Sequence, residues 1–233
     1  MKFKHNGAFN DQFQEIPDIR FYPYVGERFE SEETRIIVFA HNTYTSSERY
    51  ESEQIRTQSK THFADALNEY TYNKGKWTKT WRNFIKASLN IRFNFSASSD
   101  ISIIRKIDEF VEKLSYTNYI NDIVKSDKAI NVDISQELKT KSHLINKRLI
   151  EILNITHCIC WGKHVFNYIM RLDGYEVIEK RKLSKKGFGY AKIKNSQTDK
   201  IIHVLKVFHP SMPGFGVYSK KTQEILSEFY SMK

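Results

Sequence analysis

Arg35-Ile36-Ile37-Val38-Phe39-Ala40 is the stretch that decides the fold. Its apolar run has no polar alternation, which is the pattern of a strand buried on both faces of a parallel sheet. It stops at the polar segment His41–Ser47, read as a loop. A helical stretch follows, through about Tyr70. Trp77–Leu89 reads as a second helix, with Trp77, Trp81, Phe84, Ile85 and Leu89 at helical spacing. Ser99–Leu114 reads as a third, with Ser98 or Ser99 as its cap and Ile103, Ile104, Ile107, Phe110 and Val111 on its stripe. Ser115–Ile120 is a short strand and Ile134–Leu153 a long helix. Ile155–Trp161 is a strand running straight into a helix over Lys163–Leu172. Tyr175–Ile178 and Phe188–Ile193 read as short edge strands. Ile201–Phe208 is the last core strand, and Ser219–Tyr230 closes the chain as a helix.

Strands that alternate with helices imply a parallel sheet covered on both faces. Ligands of such sheets bind at the carboxyl ends of the strands. Topology alone therefore puts His41–Tyr44, Asn118, Trp161-Gly162-Lys163 and His209–Ser211 along one rim.

Composition bounds the partners. The chain has 233 residues, 40% of them apolar, enough for one sizeable core. Lys and Arg outnumber Asp and Glu by 37 to 27, for a net charge of +10. Such an excess favours a polyanionic partner, because neutralising phosphates releases counterions. The basic segment Lys180–Gly189, with Lys185 and Lys186, is a candidate to follow a phosphate backbone. Met1–His5 lacks the apolar core of a signal peptide, and no stretch approaches the ~20 apolar residues of a membrane span. Cys158 and Cys160 share one strand face and read as reduced packing residues, so a cytoplasmic protein is expected. No Gly-rich phosphate fingerprint follows Ala40, which argues against a nucleotide hydrolase of the doubly wound kind.

Four segments, in order, resemble the uracil-DNA glycosylase superfamily. Pro23-Tyr24-Val25-Gly26-Glu27 precedes Ile36–Tyr44, where the family carries a buried strand and a water-activating loop of the type Gly-Gln-Asp-Pro-Tyr or Gly-Met-Asn-Pro-Gly. Tyr116-Thr117-Asn118-Tyr119-Ile120 is similar to the strand ending in the Asn that reads the base edge. Cys158-Ile159-Cys160-Trp161-Gly162-Lys163 is similar to the strand that enters a helix through Trp-Gly-Lys. His209-Pro210-Ser211 matches the family's His-Pro-Ser. The resemblance spans roughly residues 20–230. With it, the expected fold class is α/β, a three-layer α-β-α sandwich around a mainly parallel four-stranded sheet. The expected organisation is one domain over 1–233, with 1–20 as an N-terminal extension.

The resemblance implies a monofunctional DNA glycosylase that flips a base and hydrolyses its glycosidic bond. On that reading His209 meets the leaving base, Asn42 positions water, Asn118 reads the base edge, and Tyr44 and Tyr24 wall the pocket. His41 touches a substituent of the base. Ser211 holds a flanking phosphate, Met212 and Phe215 fill the hole left by the flipped base, and Lys163 contacts the backbone. Asn42 stands where the most active members carry Asp, and Asn cannot accept a proton. Glu27 is therefore a candidate to take over as base, and a modified pyrimidine, such as a modified cytosine of phage DNA, a candidate substrate. Uracil or deaminated-base repair, and DNA binding without catalysis, are the alternatives. The family branch with four cysteines is not matched, so no metal or other cofactor is expected. DNA is the expected partner, with no membrane, and the chain is expected to be a monomer.

Overall fold

The computed structural model describes residues 3–52, 59–72, 78–92, 100–125, 134–184 and 187–232. Its centre is a seven-stranded sheet. In chain order the strands are β1 (Tyr24–Val25), β2 (Ile36–Ala40), β4 (Leu114–Asn118), β6 (His157–Trp161), β7 (Tyr175–Lys182), β8 (Gly189–Asn195) and β9 (Ile201–Val207). Across the sheet they run β1-β4-β2-β6-β9-β8-β7. β4, β2, β6 and β9 are mutually parallel, whereas β1, β8 and β7 add antiparallel edges. The α/β class and parallel centre are as expected; the strand number is not. The four parallel strands are extended by β1 on one side and by a long hairpin, β7–β8, on the other. What read as two short edge strands is that hairpin, and β8 is internal.

Alternation within the strands assigns side chains to two apolar layers. Ile36, Val38, Ile159, Trp161, Leu205 and Val207 face one layer. That layer is supplied by α2 (His62–Tyr72), α3 (Thr78–Leu89), α4 (Ile101–Glu112) and α7 (Lys220–Tyr230). Ile37, Phe39, Cys158, Cys160 and Val204 face the other. There α1 (Asn10–Gln14), α5 (Gln136–Ile152) and α6 (Lys163–Ile169) cover the sheet. Phe9, Phe13, Ile16 and Ile19 are buried in this second layer, so the expected N-terminal extension contributes side chains to the core. Each buried Phe or Ile side chain contributes ~1.5–3 kcal/mol.

Asp100 caps α4, accepting from the Ser102 and Ile103 amides. The expected caps Ser98 and Ser99 lie outside the described residues, as does Trp77. The expected loop after β2 holds a short strand, β3 (Thr43–Thr45), which pairs in parallel with β5 (Ile123–Lys125) as a second, small sheet. Among the described residues no helix is long and apolar enough to cross a membrane.

Candidate functional site

From β2 the chain crosses to β4 on one side; β6 and β9 then lie on the other. Crossovers that leave in opposite directions open a crevice at the carboxyl ends of β2 and β6, the topological switch point where ligands of open α/β sheets bind. His41 and Asn42 leave β2 at this point, and Gly162 leaves β6. Asn118 ends β4 in register with Ala40.

Three hydrogen bonds hold the β2 exit. Tyr119 N–H donates to Ala40 O at 2.8 Å, Ile120 N–H to His41 O at 2.9 Å, and Asn118 Nδ2 to Thr43 Oγ1 at 2.7 Å. The His41 ring is stacked on Tyr168, with centroids 6.2 Å apart and 18° between planes, and sits 5.7 Å from His164. Burial and then the His164 ring push His41 down to about 4, against an opposing hydrogen bond with Asn42. His41 is thus neutral at ordinary pH. Its Nε2 and the Nδ2 of Asn42 are buried without a hydrogen-bond partner. Leaving such groups unpaired costs ~1–3 kcal/mol each, and the two together make this switch point the candidate ligand site.

His209 follows β9. Gly162 N–H donates to Val207 O at 2.9 Å, joining the β6 exit to the end of β9. Gly162 has φ 103° and ψ 168°, a conformation open to glycine alone, and this lets the strand enter α6 without a loop. Asn83 on α3 donates to Pro210 O at 2.9 Å, and Met212 N–H to His209 O at 2.9 Å, which fixes the turn. The imidazole lies 5.8 Å from Trp161 at 80°, edge against face. Burial lowers its pKa, so it is neutral at pH 7. Its Nδ1 is 2.8 Å from Ser211 Oγ and 3.4 Å from the Ser211 amide. An amide can only donate, so Nδ1 accepts and the ring proton sits on Nε2. Ser211 thereby sets the tautomer of His209, a role its sequence position did not suggest.

Other expected residues divide. Lys163 is exposed at the rim, and Met212 is 56% exposed. Tyr44 lies in β3, one residue beyond Thr43. Phe215 is fully buried in the apolar layer under α7, so it is a core residue and cannot enter DNA. Tyr24 is also fully buried; its hydroxyl donates to Lys4 O at 3.3 Å, so it lines no pocket. Glu27 is a clearer correction. Because β1 is antiparallel, Gly26 N–H reaches Leu114 O at the amino end of β4. Glu27 is therefore at the opposite end of the sheet, ion-paired to Lys4 at 3.2 Å, and cannot act as base at this rim. Lys185 and Lys186 lie outside the described residues. His164 and Tyr168 were missed; their i, i+4 spacing on α6 just after Gly162 was the available signal.

No known family model matches this chain, and no curated protein does either. What the rim can do follows from its own groups. It offers a neutral imidazole donor on His209, an amide on Asn118, and an unpartnered imidazole nitrogen and amide on His41 and Asn42. Among the described residues no acidic side chain shifts the pKa of His41 or His209. Among the described residues no group of three or more His, Cys, Asp or Glu is placed to hold a metal ion.

Proposed function

We propose that this protein is a DNA glycosylase that flips a modified pyrimidine from DNA and hydrolyses its N-glycosidic bond, leaving an abasic site. The observation that carries the reading is the pairing, at one switch point, of a neutral Nε2–H donor on His209 with buried, unpartnered groups on His41 and Asn42.

Flipping costs a few kcal/mol of stacking and pairing. The base then leaves with the electron pair of the broken C1′–N bond. His209 Nε2–H meets the carbonyl oxygen where that negative charge gathers. A neutral donor serves here, since its alignment is fixed before charge develops. Water attacks C1′, held by the Asn42 amide, and its proton passes to His41 Nε2. Asn118 reads the base edge through the acceptor oxygen that its bond to Thr43 leaves free. Met212 fills the gap in the stack, as apolar wedges do in other complexes. The Thr43 and His41 positions, both unlike the family pattern, favour a base larger than uracil, such as a modified phage cytosine, which suits a defence role. Uracil or deaminated-base repair is the alternative target class.

A second reading, DNA binding without catalysis, is favoured by one observation: Asn42 replaces the usual Asp, and Glu27 is at the wrong end of the sheet to substitute for it. Incubation with duplexes carrying uracil, hypoxanthine, hydroxymethylcytosine or glucosylated cytosine separates the two. Free base and abasic sites, lost in His209→Ala, support the enzyme. Tight binding with no base released from any duplex leaves the binding reading.

A further inference from the structure

The β7–β8 hairpin carries its charges unevenly. On one face Glu179 pairs with Arg181 at 3.4 Å and Lys192 at 3.3 Å, and Asp199 pairs with Lys194 at 2.6 Å. Arg181 also lies over the Tyr190 ring, 4.8 Å from its centroid. Alternation turns Lys180 and Lys182 to the opposite face. There Lys182, Gly189 and Lys206 form one cross-strand row on β7, β8 and β9. Gly189 places no side chain between the two lysines. The Lys206 ammonium lies 5.8 Å from the Phe166 ring of α6, and Lys163 opens that helix. Besides its burial, Lys206 is depressed by Lys163, Lys180 and Lys182, so the four share one field. Among the described residues no ion pair reaches any of them. The same hairpin thus neutralises its cations on one face and leaves them open on the other.

The open face borders the rim. Lys163 follows Gly162, and Lys206 stands three residues before His209. We propose that Lys163, Lys180, Lys182 and Lys206 bind the phosphodiester backbone of the nucleic-acid strand whose base enters the switch-point crevice. This rests on the DNA reading of the site for its choice of partner. Clustered like charges without acidic partners are what phosphate neutralisation requires, and the released counterions give the binding its salt dependence.

The test is binding of a fluorescein-labelled DNA duplex of ordinary bases between 50 and 200 mM salt. The variants are Lys180→Gln/Lys182→Gln/Lys206→Gln and, on the other face, Arg181→Gln/Lys192→Gln. Circular dichroism and thermal melting check that each is folded. Each lost phosphate contact lowers the slope of log affinity against log salt by ~0.9, so the triple variant should lose ~2–3 in slope, and more than tenfold in affinity at 50 mM salt. The other-face variant should keep the slope of the unaltered protein. Should the triple variant fail to fold, Lys163→Gln alone should lose ~1 in slope. An unchanged slope in the lysine variants, or an equal loss in the other-face variant, overturns the proposal. Base release is scored separately. Binding lost in the triple variant without base release from any duplex supports the lysine face and sinks the enzyme reading. Base release with unchanged binding in that variant does the reverse.

Discussion

Asn118 Nδ2 donates to Thr43 Oγ1 across 2.7 Å, tying the last residue of β4 to the segment leaving β2. The bond uses one of the two amide protons and fixes the orientation of the amide. Asn118→Ala should lose both the tie and the base reading, lowering the single-turnover rate constant ~100-fold and stability by ~1 kcal/mol. Thr43→Ala should cost similar stability with a much smaller rate effect. Equal rate losses in the two would make Asn118 a structural residue only.

His209→Ala should slow base release ~100–1,000-fold, the usual effect of losing one aligned donor. Ser211→Ala should slow it less, because it removes the 2.8 Å hydroxyl contact that steadies the ring while the backbone amide still donates to Nδ1, and it should leave the DNA affinity unchanged. A Ser211→Ala protein with weakened affinity and normal rate would return Ser211 to the phosphate.

The pH profile tests His41. A base that titrates at about 4 is ready across the neutral range. Base release should be flat from pH 6 to 8 and fall only towards pH 4. An inflection near 6.5, the ordinary imidazole value, that persists in His41→Gln would show that a group other than His41 accepts the proton.

A second histidine pair governs stability instead. His157 and His203 are paired in register on β6 and β9, their rings 4.7 Å apart and 5° from parallel. His157 Nε2 has no partner, and His203 Nδ1 is 2.8 Å from Tyr190 OH. Burial and the neighbouring ring push His157 down to about 4, and burial lowers His203. The unfolded chain therefore binds more protons between pH 6.5 and about 4. Stability is whole above pH 6.5 and falls as pH drops through that window, by ~1.4 kcal/mol per unit for His157 alone. Urea titrations at pH 7.5, 6.0 and 5.0 should show this loss, and His157→Leu should flatten it.

Gly162→Ala meets no atom within 4 Å of the new methyl, so its cost is backbone strain alone. The φ of 103° predicts a loss of ~1–3 kcal/mol. Chemical denaturation measures it, and a loss below ~0.5 kcal/mol would show that the β6–α6 turn relaxes. Phe215→Ala should cost ~3–5 kcal/mol as a core deletion, whereas Met212→Ala should leave stability unchanged.

The parallel strands were legible because each is buried on two faces, which leaves an unbroken apolar run such as Ile36–Ala40. Their order was enough to place His41, Asn118, Gly162 and His209 on one rim. Glu27 was misplaced because the direction of β1 depends on pairing Tyr24 with Tyr116, far along the chain, and no local pattern encodes that. The hairpin was underread because β7 is exposed on most positions, and its charged run is held by cross-strand pairs to Glu179 that only the fold reveals. Phe215 looked like a loop tip because its anchor, the apolar layer under α7, lies outside its own segment.

Cys158 and Cys160 are fully buried on one face of β6, and burial pushes both thiols well up. Neither meets an alkylating reagent until the sheet parts from the layer carrying Ile145 and Leu149. Their labelling rate is therefore a clock for the opening of the central strands, one that runs independently of any movement at the rim.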